Sequence, residues 1–205
     1  MGLARAPRLR RWRGALAGAV TLAALATFTG CAGSPYRATQ ETWTRSEDSY
    51  TALEARAMVR ATLETEPFRR AYVDEYARLF ALTPEQRAAL LAGQLDELRD
   101  HWVVIVAFYT STRSWDDLDP ARGFWEVRLE GPHGVWDHPA RVKRLNPKNP
   151  TWKRLFPYWR TGFSLYELRF DRGGGTGTPL ALPGEQLSLV IAGAPARVRL
   201  SWTLP

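Results

Sequence analysis

"WVVIVAFYT", residues 102–110, is the longest apolar stretch after residue 33, and its reading decides the fold. Nine residues, rich in β-branched side chains, carry neither charge nor alternation. That pattern fits a strand covered on both faces. The run is less than half of the roughly twenty residues that a membrane-crossing helix requires. The chain therefore builds a core around this segment.

Downstream of it the period is two. "FWEVRLE" (124–130) places Trp125, Val127 and Leu129 on one side and Glu126, Arg128 and Glu130 on the other. "YELRF" (166–170) and "ARVRLSWTL" (196–204) alternate likewise, and "LSLVIAG" (187–193) leads into the last through a Gly193-Ala194-Pro195 turn. Gly131-Pro132-His133-Gly134 reads as a turn and "RGGGTGTP" (172–179) as a loop. Five or six strands without helices between them predict a small antiparallel β-sandwich over 101–205, immunoglobulin-like or barrel-like.

Upstream the period is helical. Tyr50, Leu53, Ala57 and Ala61 recur at helical spacing; Thr65 and Pro67 look like the start of a second helix with Phe68, Tyr72, Tyr76, Leu79 and Phe80 on its face. Thr83-Pro84-Glu85-Gln86 combines a capping box with proline at the first helical position and opens a third, with Ala88, Leu91, Leu95 and Leu98 on one side. The expected class is α+β: amphipathic helices over 49–100, then the β-domain. Residues 31–48, rich in Ser, Thr and Gly, read as a flexible tether.

The first thirty residues have a different character. Arg5, Arg8, Arg10, Arg11 and Arg13 precede an uncharged run from Gly14 to Thr29 dominated by Ala, Leu and Val. Positive flank, short apolar run and small residues are the order of a signal peptide. The run ends in Phe28-Thr29-Gly30-Cys31, and Cys31 is the only cysteine in the chain. This resembles the lipobox of bacterial lipoproteins, although Phe28 stands where Leu is commoner. The resemblance implies cleavage after Gly30, a diacylglyceryl thioether on Cys31 and N-acylation. Ala32, rather than Asp, follows the cysteine, which points to the outer membrane, facing the periplasm. Two or more acyl chains, at roughly 0.8 kcal/mol per buried CH2, anchor a domain stably. Two competing readings are an uncleaved anchor, with the run extended to Gly33, and an incidental cysteine. With Cys31 acylated, the mature domain has no thiol for disulfides, thiolate catalysis or metal binding.

The formal net charge of +7 would suggest nucleic acid. Cleavage, however, removes five of the 28 basic residues and none of the 21 acidic ones, leaving +2. Nucleic-acid binding is excluded on that ground. The remaining positive charge is concentrated in "RVKRLNPKNPTWKRLFPYWR" (141–160), with seven basic residues and no acid. Arg141, Lys143, Arg144, Lys148, Lys153, Arg154 and Arg160 interleave there with Trp152 and Trp159. Cations with interfacial aromatics suit anionic lipid headgroups or an acidic envelope protein. The alternative is a solvated loop whose aromatics cap the sandwich.

Catalytic signals are sparse. His133, Asp137 and His138 in "PHGVWDHP" form a partial zinc-ligand set, which supports the alternative of a metal-assisted hydrolase. Five positions apart on a turn and strand, however, the two imidazoles would point to opposite sides. Asp116, Asp117 and Asp119 lack the spacing of a calcium loop and read as a turn bonding its own backbone. His101 beside Asp100 has no nucleophile motif nearby, Gly173–Gly175 is not followed by Lys-Ser/Thr, and no cofactor is implied. Trp102, Trp125 and Trp202 fall on inward faces and are assigned to the core. The resulting expectation is a lipid-anchored envelope protein, a non-catalytic binding, adaptor or structural module.

Overall fold

A computed structural model describes residues 34–173 and 179–205; Cys31, the signal run and Gly174–Gly175 lie outside the described residues. Ser34–Pro205 forms one compact unit. Its elements are α1 (Pro35–Trp43), β1 (Thr44–Thr51), β2 (Glu54–Leu63), α2 (Glu66–Phe80), α3 (Pro84–Asp100), β3 (His101–Tyr109), β4 (Glu126–Glu130), β5 (Trp136–Asp137), β6 (Arg141–Arg144), α4 (Pro150–Leu155), β7 (Ser164–Asp171), β8 (Gln186–Ala192) and β9 (Arg197–Thr203). Every strand pairing is antiparallel, in one five-stranded sheet ordered β1-β2-β3-β7-β6 and one four-stranded sheet ordered β5-β4-β8-β9. The class is α+β, as the sequence predicts. The two sheets do not close into a barrel, which removes the barrel-like alternative.

β3 is the predicted doubly covered strand, with Trp102 to Phe108 all buried. One face of the five-stranded sheet presents Leu63, Val104, Val106, Phe108, Leu168 and Phe170. These join Leu129, Leu189, Leu200 and Trp202 of the second sheet in one apolar cluster. The opposite face presents Thr62, Ile105, Glu167 and Arg169, aligned by the strand register. The Tyr158 hydroxyl, just past α4, reaches that face at the Thr62 hydroxyl, 2.7 Å away. Phe68 of α2 packs against Tyr36 of α1 and Phe156 beyond α4. Trp102, Trp125 and Trp202 are buried, as expected.

The N-terminal segment departs from expectation. Residues 44–63 form a hairpin rather than a helix, and β2 pairs with β3, so 49–100 is not a separate helical layer. Spacings of four serve a helix and a strand alike. Ala57 and Ala61 fit both, and the intervening Val59 and the following Leu63, both fully buried, decide for period two. The turn, Ala52-Leu53, has no glycine or asparagine signal; Ala52 takes φ of 54°, which is uncommon for alanine. Within the expected tether, Pro35–Trp43 is a helix, α1, capped by Ser34. That residue accepts a bond from the Arg37 N–H, and Pro35 fills the first helical turn. α3 has the predicted capping box between Thr83 and Gln86.

Candidate functional site

The basic segment divides in the fold. Arg141, Lys143 and Arg144 lie on the edge strand β6, all exposed. Arg144 donates to Asp116 and Ser164 and lies over the Tyr166 ring, so it supports the loop before β4. Burial lifts the Asp116 carboxyl above its ordinary pKa, against the bonds from Ser164 and Arg144. Lys148 sits exposed in the turn before α4, and Arg160 is exposed beyond it. Trp159 is buried at 7 % exposure and donates its indole N–H to the Phe163 carbonyl, so it cannot serve the surface assigned to it. Trp152 is half-buried against the core. The aromatics face inward because their apolar area is worth more in the core than in water. The cations Lys153 and Arg154 remain exposed on α4.

α1 meets α4 at this place. The Arg37 guanidinium donates to the Arg154 carbonyl at 3.0 Å, and the Tyr36 hydroxyl donates to the Leu155 carbonyl at 2.8 Å. α1 is thus fastened to α4.

Between the helices and the sheet lies a feature that composition does not reveal. Arg69, from α2, is 4 % exposed, and Glu64, just past β2, is 5 % exposed. Arg69 pairs with Glu64 at 2.6 Å and with Glu97 of α3 at 3.0 Å. Arg169 of β7 pairs with the same Glu97 at 2.8 Å and with Glu167 at 2.9 Å. These groups border a cavity of about 120 Å³, closed further by Tyr72, Gln94 and Trp152. Burial pushes the Glu64 carboxyl up to about 7, against the pull of Arg69. Burial likewise raises the Tyr72 and Tyr158 phenols well above their ordinary range. In the sequence these charges belong to separate elements; strand pairing together with the packing of α2 and α3 brings them together.

The other candidates find local partners. The His133 imidazole lies 3.4 Å from Glu185, while His138 Nδ1 lies 3.1 Å from the Val127 carbonyl, so the two imidazoles do not converge with Asp137. Among the described residues, no three His, Cys, Asp or Glu side chains stand where they could hold a metal ion. Asp117 and Asp119 accept from backbone N–H groups two residues on, as an aspartate-rich turn does. His101 pairs with Asp171 of the neighbouring strand rather than with Asp100. A shallow groove of about 560 Å³ at the β1–β2 turn is lined by Trp115, Phe124 and Pro195 among others. Among the described residues, no helix is long and apolar enough to cross a membrane.

No protein-family model matches this sequence, and a search of curated proteins returned no match.

Proposed function

We propose that the chain is a bacterial lipoprotein, anchored through acylated Cys31 to the outer membrane and facing the periplasm. Its folded unit is a non-catalytic binding or adaptor module. The two antiparallel sheets around one core suit an immunoglobulin-like sandwich, a scaffold that presents surfaces at its ends and edges.

The observation that carries this reading is the short distance in sequence from Cys31 to α1. Ser34, the cap of α1, follows Cys31 by three residues, a reach of about 10 Å when fully extended. A lipid on that sulfur would hold the start of α1 at the headgroups. Arg37 meets Arg154 there, Lys153 is exposed next to Arg154 on α4 and over the Trp159 ring, and Glu75 lies 3.8 Å from Arg154. Each unpaired cation near an anionic surface contributes about 1 kcal/mol. The basic segment thus keeps a membrane role through α4, while its aromatics serve the core.

The test uses the absence of any other thiol. A cysteine placed at Lys153 or at Leu53, in the turn at the far end of β1, takes an environment-sensitive fluorophore in membrane-bound protein. Quenchers attached to lipid headgroups should dim the probe at 153 and spare the one at 53. Equal quenching at both positions contradicts the orientation.

A further inference from the structure

An open sheet edge exposes a row of backbone N–H and C=O groups that can pair with an incoming strand. The two sheets have four edges, β1 and β6 in one, β5 and β9 in the other. β1 and β9 close on each other: the Glu47 carboxylate accepts from the Arg199 N–H at 2.9 Å, and Arg45 Nε donates to the Ser201 carbonyl at 3.1 Å. β5 has only two residues. β6 is different. In an antiparallel ladder alternate residues bond the neighbouring strand, and the others turn away from it. The Leu145 N–H bonds the Leu165 carbonyl at 2.7 Å, and the register carries that phase back to Lys143 and Arg141. Val142 and Arg144 therefore point their N–H and C=O groups outward, where they meet no partner among the described residues.

The side chains along this edge determine which strand it can accept. Arg141 and Lys143 are exposed, lie beside Arg169 and Glu167 on one face, and make no ion pair among the described residues. Arg144 is engaged by Asp116 and Ser164, and Val142 packs partly against the core. A second copy of β6 would set like charges side by side, which opposes pairing. An acidic strand meets no such repulsion, and residues 141–160 contain no carboxylate to compete with it.

We propose that β6 takes an extended acidic segment of a partner protein as a sixth, antiparallel strand of its sheet. The residues opposite Val142 and Arg144 exchange N–H···O=C bonds with them. Those that alternate with these present carboxylates to Arg141 and Lys143, and the residue opposite Val142 is apolar, continuing the row from Leu168. The edge charges thus repel copies of this chain and favour a partner of opposite sign. The proposal rests on the binding-module reading and names the partner's chemistry. It does not rest on acylation, so a failure here leaves the anchor standing.

The test is fluorescence anisotropy of a labelled, end-blocked Glu-Val-Glu-Val-Glu peptide titrated with the full chain in a non-ionic detergent. The expected result is saturable binding. Methylating the two valine amide nitrogens keeps every charge but removes two hydrogen bonds, and should weaken binding at least about tenfold. Replacing each Glu of the peptide with Lys should abolish it. Val142→Pro removes one outward N–H and no bond to β7, and should weaken binding about fivefold or more. Lys143→Glu should weaken it by a similar factor. The methylated peptide leaves the protein unaltered, so it decides the matter if a variant folds poorly. No saturable binding of the acidic peptide overturns the proposal. So does equal affinity for the methylated peptide, which would make β6 a purely electrostatic surface such as lipid headgroups could meet. Equal affinity for the lysine peptide, or binding that both variants leave unchanged, overturns it as well.

Discussion

Glu64 and Arg69 meet at 2.6 Å with both side chains under one-tenth exposed, across the seam between the five-stranded sheet and α2. A pair so far from water is held by geometry rather than by net gain. Its desolvation offsets much of its attraction, and the expensive event is to remove one partner.

Replacing Arg69 with Met should therefore destabilise the folded unit by about 3–5 kcal/mol at pH 8. It leaves Glu64 and Glu97 facing each other without the shared cation. The loss should shrink at pH 5, where Glu64 takes up a proton and needs no counter-charge. Chemical denaturation at the two pH values measures both quantities.

The pH dependence of the parent chain follows from the same carboxyl. Its folded value, about 7, lies above the ordinary 4.5, so the native state binds the proton more tightly than the unfolded chain. The contribution of Glu64 is fully present below about pH 4.5 and is lost as pH rises through about 7. Across that window the change is on the order of 3 kcal/mol. Glu64→Gln should abolish this slope, so the parent's stability relative to the variant falls from pH 4.5 to 7. A parallel pair of pH profiles would contradict the assignment.

A backbone contact gives an independent prediction. A Cβ on Gly131 would collide with the Leu180 carbonyl, a backbone atom that cannot swing aside. The Gly131 N–H also bonds the Val135 carbonyl at 2.8 Å, fixing the turn between β4 and β5. Gly131→Ala should cost about 1–3 kcal/mol by displacing the segment around Leu180. Gly134, in the same turn, has open space around its would-be Cβ but a φ of 74°. Alanine there should cost about 1 kcal/mol, from backbone strain alone. Thermal unfolding of the two variants separates the causes.

The cationic face is tested by charge reversal. Changing Arg37, Lys153 and Arg154 together to Glu should weaken sedimentation of the non-acylated domain with anionic vesicles, most strongly at low salt. Reversing Arg144 should instead lower stability, because it breaks the contacts to Asp116 and Ser164. Lys148→Glu, in an exposed turn, serves as the neutral control for folding.

The β-half was legible in the sequence because its alternation is clean. Val127, Leu129, Val198, Leu200 and Trp202 all face the core as their period required. The first hairpin is not legible in the sequence because Ala57 and Ala61 satisfy both periods and because Ala52-Leu53 carries no turn residue. The short strands β5 and β6 and the six-residue α4 are too brief to show a period at all. The cationic neighbours of Trp159 suggest a surface position, yet burial of a large ring whose N–H finds the Phe163 carbonyl outweighs that local context. The ionic cavity could not be read, since its charges come from the residue after β2 and from α2, α3 and β7, and become neighbours only through tertiary packing.

The measurement that bears most directly on the account is the intact mass of the mature protein isolated from bacterial membranes, with fragmentation of its first peptide. The account predicts that this peptide begins at Cys31 and carries a diacylglyceryl thioether and an N-acyl chain, and that Cys31→Ser leaves the leader uncleaved. A mature chain that begins at another residue, or one that retains Cys31 as a free thiol, would contradict it.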